Sequence, residues 1–217
     1  INVISFVVFN ILSLTPLNLT PFFALPSDIF GFLLKPWTLV SYMFLHAGLF
    51  HVGFNMYVLY IFGKTLIEFL GTSRFIGAYF LGGLVGGIFF LLFSQLYPTG
   101  AFLVGASAGV MAVGFAAATQ RPDYRMHLFI WGSVPLKYVA LGMLVLNSVL
   151  NFSVNTGGKI AHFGGAILGY LLIKQLQQGN DWSKWVMGVL NGIKSLFGKK
   201  KKMKVVYKNR ANSKRPK

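Results

Sequence analysis

The sequence of 217 residues contains no cysteine. Thiol nucleophiles, disulfide staples and thiolate metal sites are excluded together, and the redox compartment cannot be read from the chain. Acidic residues are almost as scarce: Asp28, Glu68, Asp123 and Asp181 are all there are. Chemistry that depends on paired carboxylates or an acidic metal cage has few candidates. Charge of either sign is missing from 1–27, 37–63, 75–120 and 138–158, and uncharged apolar runs of that length are transmembrane material. Charged residues make up 11% of the chain, against about 25% in an ordinary soluble domain. These shortages exclude a soluble enzyme, a disordered chain and a disulfide-rich secreted domain.

Glycine and phenylalanine are plentiful, 25 and 22 residues, in keeping with close-packed membrane helices. The net charge is +16, but ten of the 20 basic residues lie in 199–217. A basic tail on a membrane protein reads as a positive-inside signal or a contact with anionic lipid, so no nucleic-acid partner is expected. The chain opens at Ile1 with neither an initiator Met nor a basic leader. A helix over 1–14 would reach only about 21 Å, short of the roughly 30 Å hydrocarbon core, so the first span is expected to begin upstream of Ile1.

Residues 15–38 are broken by Pro16, Pro21, Pro26 and Pro36 and read as an apolar loop lying in the interface. Further spans are expected at about 46–67, 75–96, 105–119, 136–153 and 158–176, giving six. Lys64, Arg74, Arg121, Arg125 and Lys137 fall on one side with the tail. The positive-inside rule then puts both termini in the cytoplasm and the 15–38 loop outside. The expected organisation is a membrane domain over 1–178, an amphipathic interfacial helix within 179–198 and a basic disordered tail over 199–217. The fold class is all-α, a polytopic six-helix bundle.

Reactive side chains inside such spans are costly and mark function. Ser107 lies in Gly105-Ala106-Ser107-Ala108-Gly109 at the start of the fourth span, where free backbone N–H groups suit an oxyanion. The competing reading is a packing serine. His162 sits in Ala161-His162-Phe163-Gly164-Gly165 with Gly169 a turn on, a candidate base or a structural histidine. Gly105 with Gly109, and Gly165 with Gly169, are both GxxxG pairs, so two backbones could approach until Ser107 and His162 hydrogen-bond. His51 and Asn55 are four apart and share a helix face, which suits oxyanion donors or an interhelical clamp. His46, five residues before His51, is read as lying on another face, and no metal site is expected. Lys159, one turn before His162, reads as a flank at the outer membrane edge, with the base of a Ser–Lys pair as the competing reading.

From Trp37 to about Tyr170 these residues resemble the rhomboid intramembrane serine proteases. The resemblance rests on FLHAGLFHVGFN, on Glu68, Gly71, Arg74 and Phe75 with Tyr79 and the glycines 82, 83, 86 and 87, on GASAG, and on AHFGG, in that order. It implies a six-span core of the bacterial type in the bacterial inner membrane. Ser107 would be the nucleophile and His162 the general base. His51, Asn55 and the Ser107 backbone N–H would form the oxyanion hole. No cofactor is implied; transmembrane protein substrates and membrane lipid are the implied partners. The sequence departs from the family at Thr38, where an Arg is common after Trp37. It departs again at Ala108, where glycine is commoner, and at Met111, where an aromatic residue often packs on the histidine. A transporter or channel using the histidines, or a non-proteolytic relative, are the rival readings.

Overall fold

A computed structural model describes residues 1–13, 17–98, 100–128, 132–148 and 156–197. The expected basic tail lies outside the described residues. The chain is predominantly helical: α1 (Asn2–Ser13), α2 (Thr20–Phe23), β1 (Leu25–Pro26), α3 (Ile29–Leu34), α4 (Thr38–Ser41), α5 (Leu49–Leu70), α6 (Thr72–Leu96), β2 (Phe102–Leu103), α7 (Ser107–Gln120), β3 (Arg125–Leu128), β4 (Gly132–Pro135), α8 (Leu136–Ser148), α9 (Thr156–Gln177) and α10 (Ser183–Phe197). The apolar runs expected to form spans are helices, with ends shifted by a few residues.

The number of spans is where expectation and structure part. Among the described residues one helix, α6, is long and apolar enough to cross a membrane. A second is reached if Thr38–Phe44 and α5, bent by 94°, count as one. The helices α1, α7 and α8 have 12, 14 and 13 residues, too short at about 1.5 Å per residue to bridge roughly 30 Å alone. α9 has the length, 22 residues, but carries Lys159 and Lys174.

α7 is the centre of the molecule. Ten of its residues, from Ala108 to Ala118, are buried, because α5, α6, α8 and α9 all pack on it. Its small side chains make that possible. A Cβ at Gly165 would fall on the Ala108 carbonyl and one at Gly169 on the Ala112 carbonyl, so α9 lies with its backbone directly against α7. Gly82 and Gly86 of α6 meet the Cβ atoms of Ala112 and Ala108 from the other side. The sequence reading paired the two GxxxG motifs with each other, and only the α9 pair behaves so. Gly109 faces the Tyr79 carbonyl on α6 and Gly105 faces His51, because successive α7 residues turn toward different neighbours.

The proline-broken segment is folded rather than loose. β1 pairs antiparallel with β2, Leu25 opposite Leu103 and Pro26 opposite Phe102. Trp37 Nε1 donates to the Phe22 carbonyl at 2.9 Å, Ser41 Oγ to that of Phe23 at 2.7 Å and Gln95 Nε2 to that of Ser27 at 2.9 Å. This segment is therefore held without the Arg that Thr38 replaces. The buried Tyr42 hydroxyl donates to the Gly83 carbonyl at 2.7 Å. Asn2 Nδ2 donates to the Tyr79 hydroxyl at 3.2 Å, which fixes α1 to the core. The hairpin β3–β4 is not legible in the sequence, since its strands are four residues long, too short for the alternation of Arg125, Met126, His127 and Leu128 to stand out.

α10 is clamped to the start of α6. Arg74 Nε donates to Asp181 Oδ2 at 3.1 Å, and the Ser183 hydroxyl donates to Asp181 Oδ1. Ser183 is buried against Gly77, where a Cβ would collide with it. Burial alone would raise the Asp181 carboxyl, but the Ser183 hydroxyl and the Arg74 guanidinium outweigh it and hold it below the usual carboxylate range.

Two outcomes follow from this packing. Replacing Gly165 or Gly169 by Val should lower thermal stability in detergent by about 1–3 kcal/mol or more, the scale of overpacking. Gly142→Ala on α8, where a Cβ meets nothing within 4 Å, should leave it unchanged or slightly raised. Because the folded Asp181 carboxyl titrates low, its contribution is complete above the ordinary Asp value of about 3.9 and is lost as pH falls through the lower folded value. Fluorescence of Trp182 and Trp185 should therefore be constant from pH 7 to about 5 and change on further acidification, and Asp181→Asn should remove that transition.

Candidate active site

Ser107 is the first residue of α7, so its backbone N–H and those after it have no partner within the helix. The chain reaches it through Gly105, whose φ of +128° is a conformation that side chains rarely adopt. A Cβ there would also meet the His51 ring at 2.8 Å. Gly105 N donates to the Tyr42 carbonyl at 3.0 Å, tying this turn to the segment before α5. Gly105 is thus required by backbone geometry and by the imidazole beside it, not by contact with α9.

His162 lies on α9, and its Nε2 is 2.8 Å from Ser107 Oγ. Asn147, at the end of α8, lines the same cavity as the His162 ring. With the ring proton on Nδ1, Nε2 is left as the acceptor for the serine O–H. Two residues 55 apart in sequence are brought together by the Gly165–Ala108 contact one turn further along.

Ser107, His162, His51 and Asn55 line one cavity of about 410 Å³. Its remaining wall includes Phe50 and Phe54 of α5, Asn147 of α8, and Lys159 of α9. α5 and α8 both flank α7. Asn55 Nδ2 donates to the His51 carbonyl one turn back at 2.9 Å, which fixes its amide on the cavity side of α5 and leaves a second N–H. None of the four carboxylates is among the residues lining the cavity.

His46 departs from the sequence reading. It precedes α5, in a non-helical connection, so helical spacing does not apply to it. Its ring packs edge-on against His51 with centroids 5.1 Å apart. His51 is consequently held between the His46 ring and the Gly105 backbone. Met111 is buried in the core, 2% exposed. Among the described residues no cluster of three or more metal-ligating side chains occurs. Asn147, Phe50 and Phe54 were missed by sequence reasoning. Nothing in an apolar run distinguishes a cavity-lining Phe from a lipid-facing one, and Asn147 lies in an uncharged run with no motif around it.

Comparison with known proteins bears on this geometry. A family model described as the Rhomboid domain matches residues 34–178. The human presenilin-associated rhomboid-like protein, mitochondrial, is 29% identical over 137 residues, 58% of this chain and 34% of its own length. Rhomboid-like protease 1 of Toxoplasma gondii is 27% identical over 169 residues, 72% of this chain and 54% of its own. RHOMBOID-like protein 6, mitochondrial, of Arabidopsis thaliana is 29% identical over 152 residues, 67% of this chain and 46% of its own. The chain thus spans between a third and about half of the length of these relatives. The expected bacterial inner membrane is corrected by them: the human and Arabidopsis proteins are mitochondrial by name. The cytoplasmic placement of both termini, which depended on that setting, falls with it.

The Gly105 turn gives a direct check. Gly105→Ala should slow fluorophosphonate labelling of the protein at least about tenfold by displacing His51 and straining the turn. Gly48→Ala, at an extended glycine with open space around it, should leave the labelling rate within about twofold of wild type, as expected for a surface change.

Proposed function

The chain belongs to the rhomboid family, and from that premise we propose that it is an intramembrane serine endopeptidase acting on transmembrane protein substrates through a Ser107–His162 dyad. The observation that carries this reading is the 2.8 Å approach of His162 Nε2 to Ser107 Oγ inside a cavity that His51 and Asn55 also line. His162 accepts the serine proton as Ser107 Oγ attacks the scissile carbonyl. The oxyanion that forms is held by the Ser107 backbone N–H, the His51 ring and the free N–H of Asn55. His162 then returns the proton to the leaving amine. Water, deprotonated by the same ring, hydrolyses the acyl ester and regenerates the enzyme.

No carboxylate orients the imidazole in this scheme. The imidazolium forms beside Asn147 in the same cavity, without a third acidic partner. The architecture proposed is a six-helix membrane bundle of α1, α5, α6, α7, α8 and α9. α7 is shorter than the bilayer because helices surround it, and its exposed N-terminal groups open into a cavity rather than lipid. α10 lies beside the membrane surface. Trp185, Val189, Ile193 and Leu196 are exposed along one stripe, while Lys184 and Lys194 lie away from it.

Purified protein incubated with a single-span substrate should cut it, and Ser107→Ala should abolish cleavage. Removing one oxyanion donor costs about 10²–10³ in rate. His51→Ala and Asn55→Ala should each reduce turnover on that scale while fluorophosphonate still labels Ser107. Cleavage that survives Ser107→Ala overturns the reading.

A further inference from the structure

We infer that Lys159 is a specificity residue, selecting substrates that carry a carboxylate side chain within about two residues of the cut bond; this rests on the peptidase reading above. Lys159 lines the same cavity as Ser107 and His162 and is partly buried there. It stands three residues before His162 on α9, so the two share a helix face with Cβ atoms about 5–6 Å apart.

Among the described residues nothing neutralises it. The four acidic residues are all accounted for elsewhere. Asp181 pairs with Arg74 and Asp123 with Lys137. Asp28 caps α3 through Gly31 N, and Glu68 lines a separate surface hollow beside Arg121. Among the described residues Lys159 makes no ion pair, while the polar side chains around it in the cavity are serine, asparagine and histidine. An ammonium drawn part of the way out of water without a counter-charge is unfavourable for folding, and an incoming carboxylate would recover that cost. A lysine or arginine arriving at the same place would meet like charge.

Reach sets the register. An extended substrate strand advances about 3.3 Å per residue, and the lysine stem is about two such steps long. The complementary acid therefore falls within about two residues of the carbonyl held at Ser107. The polarity of the preference follows from charge alone and does not depend on which side of the bond the acid occupies.

The test uses the full chain in neutral detergent with a series of single-span substrates. In each, one residue at one of two positions on either side of the cut is Gln, Glu or Lys. At one or more of these positions Glu should be cut with kcat/KM about tenfold above Gln, and Lys should be cut more slowly than Gln. Lys159→Met should bring the three within about twofold of one another, Lys159→Arg should keep the order and Lys159→Glu should reverse it in favour of Lys. Ratios taken within one variant cancel any general loss of activity, and fluorophosphonate labelling reports whether Ser107 is assembled in each. If wild-type protein cuts the set but treats the three residues alike, or if its preference survives Lys159→Met, the inference is overturned while the peptidase reading stands. If wild-type protein is folded, labels nowhere and cuts none of them, the peptidase reading fails and takes the inference with it.

Discussion

Everything at the site depends on how closely two helix backbones can approach. Ser107 has a short side chain, and an imidazole extends only a few ångströms from its own helix. A hydrogen bond between them requires α7 and α9 to touch backbone to backbone. Gly165 and Gly169 provide that contact against the carbonyls of Ala108 and Ala112, and Gly82 and Gly86 press α6 onto the same two alanines from the other side. Ala108 and Ala112 are therefore the spacers of the core. In lipid there is no hydrophobic drive to bring helices together, and close packing with interhelical hydrogen bonds is what remains. The Ser107–His162 geometry and the stability of the helix packing draw on the same contacts.

The other wall of the cavity is set by a different device. His51 is placed by rigid neighbours on two sides, the His46 ring and the Gly105 backbone. Gly105 is in turn held by the Tyr42 carbonyl, and Tyr42 by Gly83 of α6. The β1–β2 pairing joins the segment before α5 to the strand that enters the Gly105 turn. A displacement anywhere in this chain of contacts would move the proposed oxyanion donors relative to Ser107, although none of these groups touches a reacting atom.

Much of this was legible in the sequence. Uncharged runs located the main helices, and GASAG with AHFGG located the serine and histidine with the α9 glycines that unite them. Other features were not legible, for physical reasons. GxxxG spacing says that a helix face is small but not which neighbour uses it, so Gly105 and Gly109 were assigned to α9 when they face His51 and α6. Helical periodicity puts His46 on another face from His51, yet it precedes the helix and meets His51 edge-on. Asn147 lines the cavity from an uncharged run with no motif to mark it. Helix length does not confirm six spans, since α1, α7 and α8 are shorter than a bilayer, and the membrane setting is not encoded in the residues that build the site.

The central claim is that Ser107 is a nucleophile made reactive by His162. It is tested most directly by treating the protein with a fluorophosphonate, digesting it and mapping the adduct by mass spectrometry. The account predicts one modified peptide with the phosphonyl group on Ser107 and adduct formation slowed by a factor of about 10³ or more in His162→Ala. An adduct on another residue, or labelling of Ser107 at the same rate in folded His162→Ala protein, would contradict it.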